Sequence, residues 1–213
     1  MNVDIAVVDY GMGNLRSVSK AIEHVAPGKS VAVTSDADII HNAARVVFPG
    51  QGAMPDCIRE LDGRGLRAAV IEATKSKPFL GICIGLQMLF ERSEEGGAAG
   101  LGLFQGSVKK FAAADMHDEA GQKLKVPHMG WNQVTQDKPH ALWANIDDGA
   151  RFYYVHSYYV APLQAKLHAA SSAYPKAFTC AIAHENLFGV QFHPEKSAHA
   201  GLQLLSNFVN WAP

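Results

Sequence analysis

Charge is scarce in this sequence, and neither sign prevails. Of 213 residues only 18% are charged, with 19 Lys and Arg against 20 Asp and Glu, a formal net charge of -1. No broad field therefore draws nucleic acid or an anionic membrane to the chain. Cysteine is sparse as well. Cys57, Cys83 and Cys180 are an odd number without CxxC spacing, which argues against a disulfide framework and against a zinc knuckle. No run approaches the roughly 18 apolar residues that span a bilayer. The N-terminal MNVDIAVVDYGMGN carries Asp4 and lacks a basic segment ahead of a long apolar one, so no signal peptide is expected. These absences lead to the expectation of a cytoplasmic protein with neither nucleic-acid nor membrane partners. Metal is not expected either, because the ten histidines show no ligand spacing with carboxylates or cysteines. GMGN at 11–14 lacks the third glycine of a dinucleotide loop, since Arg16 stands in its place, and supports no phosphate site.

What is present is apolar. Hydrophobic residues make up 48% of the chain, enough for one sizeable core and a single domain over 1–213. DIAVVDY, VAVTSD, RVVFPG and FLGIC are short apolar runs bounded by turn residues, as buried strands are. Between them LRSVSKAIEHV places Leu15, Val18, Ile22 and Val25 at helical spacing, ADIIHNA is helical, and residues 54–77 are helical with a break at Gly63 and Gly65. Strands alternating with helices predict an α/β fold, an open and largely parallel central sheet with helices on both faces. After about residue 95 the pattern changes to a β-rich second half. SVKKF, LKVPHMGWNQV, ARFYYVHSYYV and AKLHAAS read as strands, and FTCAIAHENLFGVQFHPE as two strands around a turn at 184–186. The chain closes on a helix, SAHAGLQLLSNFVNWA, with Leu202, Leu205, Phe208 and Val209 on one face.

Three short stretches carry chemistry. GICIG at 81–85 fits a nucleophile elbow with cysteine in place of serine. A strand-to-helix turn that sharp leaves no room for flanking Cβ atoms and lifts its central side chain to the carboxyl end of the sheet, where open α/β folds place ligands. GICIG alone equally describes a buried structural thiol, and Cys57 and Cys180, without flanking glycines, are expected to be buried ones. QFHPE offers a base and a group to orient it, since in an extended segment His193 and Glu195 project to the same face; alone it describes a solvated loop pair, and the elbow cysteine shifts the balance. Pro194 between them puts the segment at a strand end or edge. FPGQGA at 48–53 is a Gly-rich turn after a strand, suited to an oxyanion hole and equally to a plain tight turn.

PGQGA, GICIGLQ and QFHPE, in that order, resemble the class I (triad) glutamine amidotransferases over nearly the full chain. VDYGMGNLRSV, PHMGWN, YVHSYY and QFHPEKS look like the glutaminase-subunit family of imidazole glycerol phosphate synthase within that class. GICIGLQ departs slightly, since relatives more often carry Leu and Met around the second glycine. The resemblance implies that Cys83 attacks the side-chain amide of glutamine, with His193 as proton carrier and Glu195 as its orienter. It implies oxyanion donors at Ile84, Gln51 and Gly52, and a substrate site of Gln87, Gly52, His156, Ser157 and Tyr158. It implies no metal or organic cofactor, and a (β/α)8-barrel cyclase partner that receives the ammonia and is faced by Asn14, Trp131 and Lys196. Rival readings are an amidotransferase serving another synthase, an elbow-cysteine chaperone or protease, and a scaffold without activity. The first would keep the chemistry and change the partner; the others predict no glutaminase activity.

Overall fold

The computed structural model describes residues 3–117 and 121–213. Its first half alternates as β1 (Ile5–Val8), α1 (Leu15–Val25), β2 (Val31–Thr34), α2 (Ala37–Asn42), β3 (Arg45–Gly50) and α3 (Met54–Gly63). Then come α4 (Arg67–Ser76), β4 (Phe79–Cys83) and a single turn, α5 (Ile84–Gln87). The second half carries β5 (Phe90–Ser93), β6 (Phe104–Lys110), β7 (His128–Gln133), β8 (Thr135–Gln136) and β9 (Arg151–His156). It continues with β10 (Tyr158–Pro162), β11 (His168–Ala173), β12 (Ala177–His184) and β13 (Leu187–Val190), and ends in α6 (Ala198–Asn210).

Local chemistry explains the first half. IAVV of β1 is buried at every position, as a strand covered on both faces must be. The Asn14 side chain accepts from the Ser17 N–H and opens α1, while the Asp36 side chain caps α2 through Asp38 and Ile39. One sheet runs β2-β1-β3-β4-β13-β12-β10-β6-β5, with β11 and β8 attached beside β12. The five strands β2, β1, β3, β4 and β13 are mutually parallel. From β1 the chain steps outward to β2 and then back across to β3, so right-handed crossovers put α1 on one face and α2 to α4 on the other. The contacts agree: α1 packs on α6, and α2 on α4. Among the described residues no helix is long and apolar enough to cross a membrane.

Several expected elements differ in detail. ARFYYVHSYYV is two strands, not one. β9 pairs with β7 in a separate two-stranded sheet while β10 joins the main sheet, and Ser157 is the joint. Both halves are apolar and no Gly or Pro marks the break. LKVPHMGWNQV is a strand only over β7, and the first residues of AKLHAAS form a 3-10 turn. β5 was not legible as a strand, because only Phe90 and Ser93 of FERS are buried. In α6 the buried face is Gly201, Leu204, Leu205, Phe208 and Val209, so Leu204 replaces the expected Leu202.

The register that matters most is non-local. β13 lies beside β4 with Leu187 opposite Phe79 and Val190 opposite Ile82. One step further, Gln191 reaches Cys83, and the HPE sequence then passes over the carboxyl end of the sheet.

Candidate active site

The elbow is built as the glycines require. Cys83 has φ 55° and ψ -110°, a conformation that costs a non-glycine residue on the order of 1–3 kcal/mol and clusters at functional sites. A Cβ on Gly85 would lie 1.8 Å from the Phe48 carbonyl oxygen, so only glycine lets α5 pass this close to β3. The helix after the elbow is one turn long. Leu86, Met88, Leu89 and Phe90 are all fully buried, which leaves no solvent face for an amphipathic helix to extend along.

His193 Nδ1 and Glu195 Oε1 are 2.9 Å apart, and both side chains are almost wholly buried. They do not meet by strand alternation. β13 has ended, and Pro194–Lys196 form a 3-10 turn that swings Glu195 back to the imidazole. Pro194 sits past the strand end, where its missing N–H costs nothing. With Nδ1 engaged, Nε2 is the atom left for the thiol, and Cys83 adjoins His193 closely enough to act on its charge. Burial opposes a charge on His193, but the adjoining Cys83 and Glu195 outweigh it and lift the imidazole pKa to about 10. The other thiols are inert by contrast: burial pushes Cys57 up to about 11 and Cys180 up to about 12.

Above Cys83 opens a pocket of about 290 Å³ lined by Gln51, Gly52, Ile84, Gln87, His156, Ser157 and Tyr158, together with Glu95, Pro127 and Val155. The expected oxyanion and substrate residues thus gather on the nucleophile. Gly52 has φ +109°, which glycine alone adopts freely. The turn before it is braced from below: Tyr10 Oη donates to the Pro49 carbonyl at 2.9 Å, and Cys57 Sγ donates to the Gln51 carbonyl at 3.6 Å. Gln87 Nε2 donates to the Tyr158 carbonyl at 2.9 Å and to Gln191 Oε1 at 3.0 Å, while its Oε1 is buried without a partner. His156 enters differently from expectation. Both of its ring nitrogens bond within the protein, so its place in the wall is steric and main-chain.

Sequence reasoning missed three residues here. Gln191 Nε2 lies 3.6 Å from Cys83 Sγ; it stood inside the QFHPE motif but was given no role. Among the described residues Glu95 is the only carboxylate lining the pocket, and it came from a Gly-rich turn with no motif to mark it. His128 lies behind the wall and no spacing pointed to it. Asn14, Trp131 and Lys196 do not line the pocket. Asn14 is half-buried at the cap of α1, Lys196 is half-buried beside Glu195, and Trp131 is 44% exposed on β7. A larger open groove of about 1230 Å³ lies alongside, sharing Pro127 and Ser157, but contains no member of the triad. Among the described residues no group of three or more His, Cys, Asp or Glu converges as a metal site.

A cysteine elbow, a charged imidazole, a carboxylate and a Gly-rich turn form an acyl-transfer site. The family model for class-I glutamine amidotransferases matches residues 6–211. The chain belongs to that family. Curated relatives include the imidazole glycerol phosphate synthase subunit HisH of Thiobacillus denitrificans, 65% identical over 100% of this chain and 93% of the relative. The HisH subunit of Aromatoleum aromaticum is 66% identical over 99% of each chain. A solved glutamine amidotransferase from Thermotoga maritima superposes with a TM-score of 0.60 at 17% identity, covering 93% of this chain and 78% of that one, and shares the fold. The class I amidotransferase fold expected from the three motifs is the fold observed.

Proposed function

We propose that this amidotransferase hydrolyses glutamine at Cys83 and delivers ammonia to a (β/α)8-barrel cyclase, as the glutaminase subunit of imidazole glycerol phosphate synthase. The single observation that carries the chemistry is Cys83 in the wall of the 290 Å³ pocket with His193 adjoining it and Glu195 2.9 Å behind the imidazole. In this reading residues 1–213 act as one domain. Full-length identity above 60% to HisH subunits supports the pathway and the need for a second component.

His193 Nε2 takes the thiol proton of Cys83 as the sulfur attacks the glutamine side-chain carbonyl carbon, and the C=O electrons move onto oxygen. N–H groups of Ile84 and of Gln51–Gly52 receive that oxyanion. Collapse of the tetrahedral adduct breaks the C–N bond, with the nitrogen taking the proton of His193 Nε2 and leaving as ammonia. His193 then deprotonates water, which cleaves the glutamyl thioester to glutamate and restores the thiol. Glu195 holds Nδ1–H throughout and balances the imidazolium. Substrate recognition follows from the pocket's polar groups: Glu95 suits the α-ammonium, and the unpartnered Gln87 Oε1 accepts a hydrogen bond from it. The pocket suits a single amino acid, and in this reading the nucleotide substrate is held by the partner. Asn14, Trp131 and Lys196 would face that partner. Three unpaired thiols suit the reducing cytoplasm.

The test is glutamate release by the chain alone and with the cyclase and its ligand. Slow turnover alone and a sharp rise in the complex are expected. Equal turnover in both conditions would refute assignment to this synthase, and hydrolysis by Cys83→Ala would refute the mechanism.

A further inference from the structure

Behind the pocket wall two buried histidines touch. His128 Nδ1 is 3.0 Å from His156 Nε2, His156 Nδ1 is 2.8 Å from the Tyr158 carbonyl, and Asn132 Nδ2 is 3.3 Å from His128 Nε2. The proton positions follow from the ends of this row. A carbonyl only accepts, so His156 carries its proton on Nδ1 and presents a bare Nε2. That atom requires a donor, so His128 carries its proton on Nδ1 and accepts at Nε2. The donor there is Asn132 Nδ2, whose amide orientation is fixed independently: Nδ2 also donates to the Ala173 carbonyl at 2.8 Å, and Oδ1 accepts from the Gln133 N–H at 2.8 Å. Every bond runs one way, from Asn132 to Tyr158.

The row ends on the substrate wall. The Tyr158 carbonyl also takes Gln87 Nε2, and the Ser157 carbonyl takes the Phe111 N–H at 3.2 Å. These bonds turn the carbonyls of residues 157 and 158 into the protein and fix the amide of Gln87, a pocket-lining residue whose Oε1 is left without a partner. The Tyr158 carbonyl favours the Nδ1–H form of His156, and the His128 N–H reinforces it: without that donor the Nε2 lone pair is buried unpaired, and the other tautomer would set a lone pair against the Tyr158 carbonyl.

We infer that His128 is a positioning residue for glutamine. By pairing His156 Nε2 it locks the imidazole in the Nδ1–H form that the Tyr158 carbonyl requires, and so holds Ser157, Tyr158 and Gln87 in the geometry that recognises substrate. This rests on the glutaminase reading above. Stacking is the competing role, since His128 lies between Tyr154 and Tyr174 with ring centroids at 4.8 Å and 3.9 Å. Two variants separate them. His128→Phe keeps a ring between the tyrosines and loses the donor; His128→Asn loses the ring and places an N–H near the former Nδ1.

Glutaminase kinetics on the full chain in complex with its cyclase partner, alongside iodoacetamide alkylation of Cys83, provide the readout. His128→Phe is expected to raise KM about tenfold, the worth of one neutral hydrogen bond. Its kcat and alkylation rate are expected to stay close to wild type, and His128→Asn is expected to restore KM to within about threefold. An unchanged KM in His128→Phe, an Asn variant as impaired as the Phe variant, or alkylation falling in step with the rise in KM would each overturn the inference. Failure of the wild-type chain to hydrolyse glutamine would instead defeat the functional reading.

Discussion

Mild acid is expected to unfold this protein through its neutral histidines. Burial holds the pKa of His128 down to about 4 and that of His156 to about 3, the latter further lowered by His128 and His193. Burial, aided by Lys138, holds His140 to about 4. An unfolded histidine takes its proton near pH 6.5. Between that pH and about 4 the unfolded chain therefore binds more protons than the folded one, and stability falls as pH falls. At pH 5 the penalty is about 2 kcal/mol each for His128 and His156 at 1.36 kcal/mol per pH unit. The half-buried His140 adds about 1 kcal/mol after screening. The sum of about 5 kcal/mol is comparable to the entire stability of many domains. His193 adds little slope below pH 6, where both states are largely protonated; nearer pH 7 its folded pKa of about 10 acts in the opposite sense, with stability lost as pH rises. The assay is urea unfolding at pH 7.0, 6.0, 5.5 and 5.0, with midpoint and slope fitted together. His140→Asn, which keeps an acceptor for the Leu142 N–H, should make the dependence shallower. A free energy of unfolding constant within about 1 kcal/mol from pH 7 to 5 would refute the reasoning.

Two substitutions test other parts of the site. Glu195→Gln removes the negative charge behind His193 while keeping its volume, and kcat should fall by about 10² or more with KM little changed, since Glu195 does not line the pocket; steady-state kinetics showing kcat within threefold would count against the triad. Gly85→Ala drives a Cβ to 1.8 Å from the Phe48 carbonyl and should destabilise by about 3 kcal/mol or more in denaturant melts, whereas Gly63→Ala in α3 meets nothing within 4 Å and should be neutral or stabilising. Equal melting of the two alanine variants would contradict the close approach of α5 to β3.

What the sequence made legible was local. IAVV and FLGIC are apolar throughout because parallel strands are covered on both faces, and GICIG spells out its own bend. The meeting of Cys83 with His193 was inferable only from motif order, since the register of β13 on β4 is a long-range pairing that no spacing encodes. Side chains that act through others left no trace. His128 sits in PHMGWN as one polar residue among several, and its role depends on a ring nitrogen meeting His156 across two strands. Glu95 sat in a turn rich in glycine, where a carboxylate ordinarily only faces solvent. The break at Ser157 was hidden because tyrosines on both sides favour strands equally.

Strand β7 alternates cleanly. His128 and Asn132 face inward, whereas Met129 and Trp131 are 62% and 44% exposed on the other side. A partner that closes over those two apolar side chains therefore grips the strand whose inner face sets the substrate wall. Binding free energies linked in this way are reciprocal. Whatever factor such docking adds to the affinity for glutamine, bound glutamine must return to the affinity for the partner. Docking on this strand would tie substrate occupancy to the equilibrium between the free and the joined proteins.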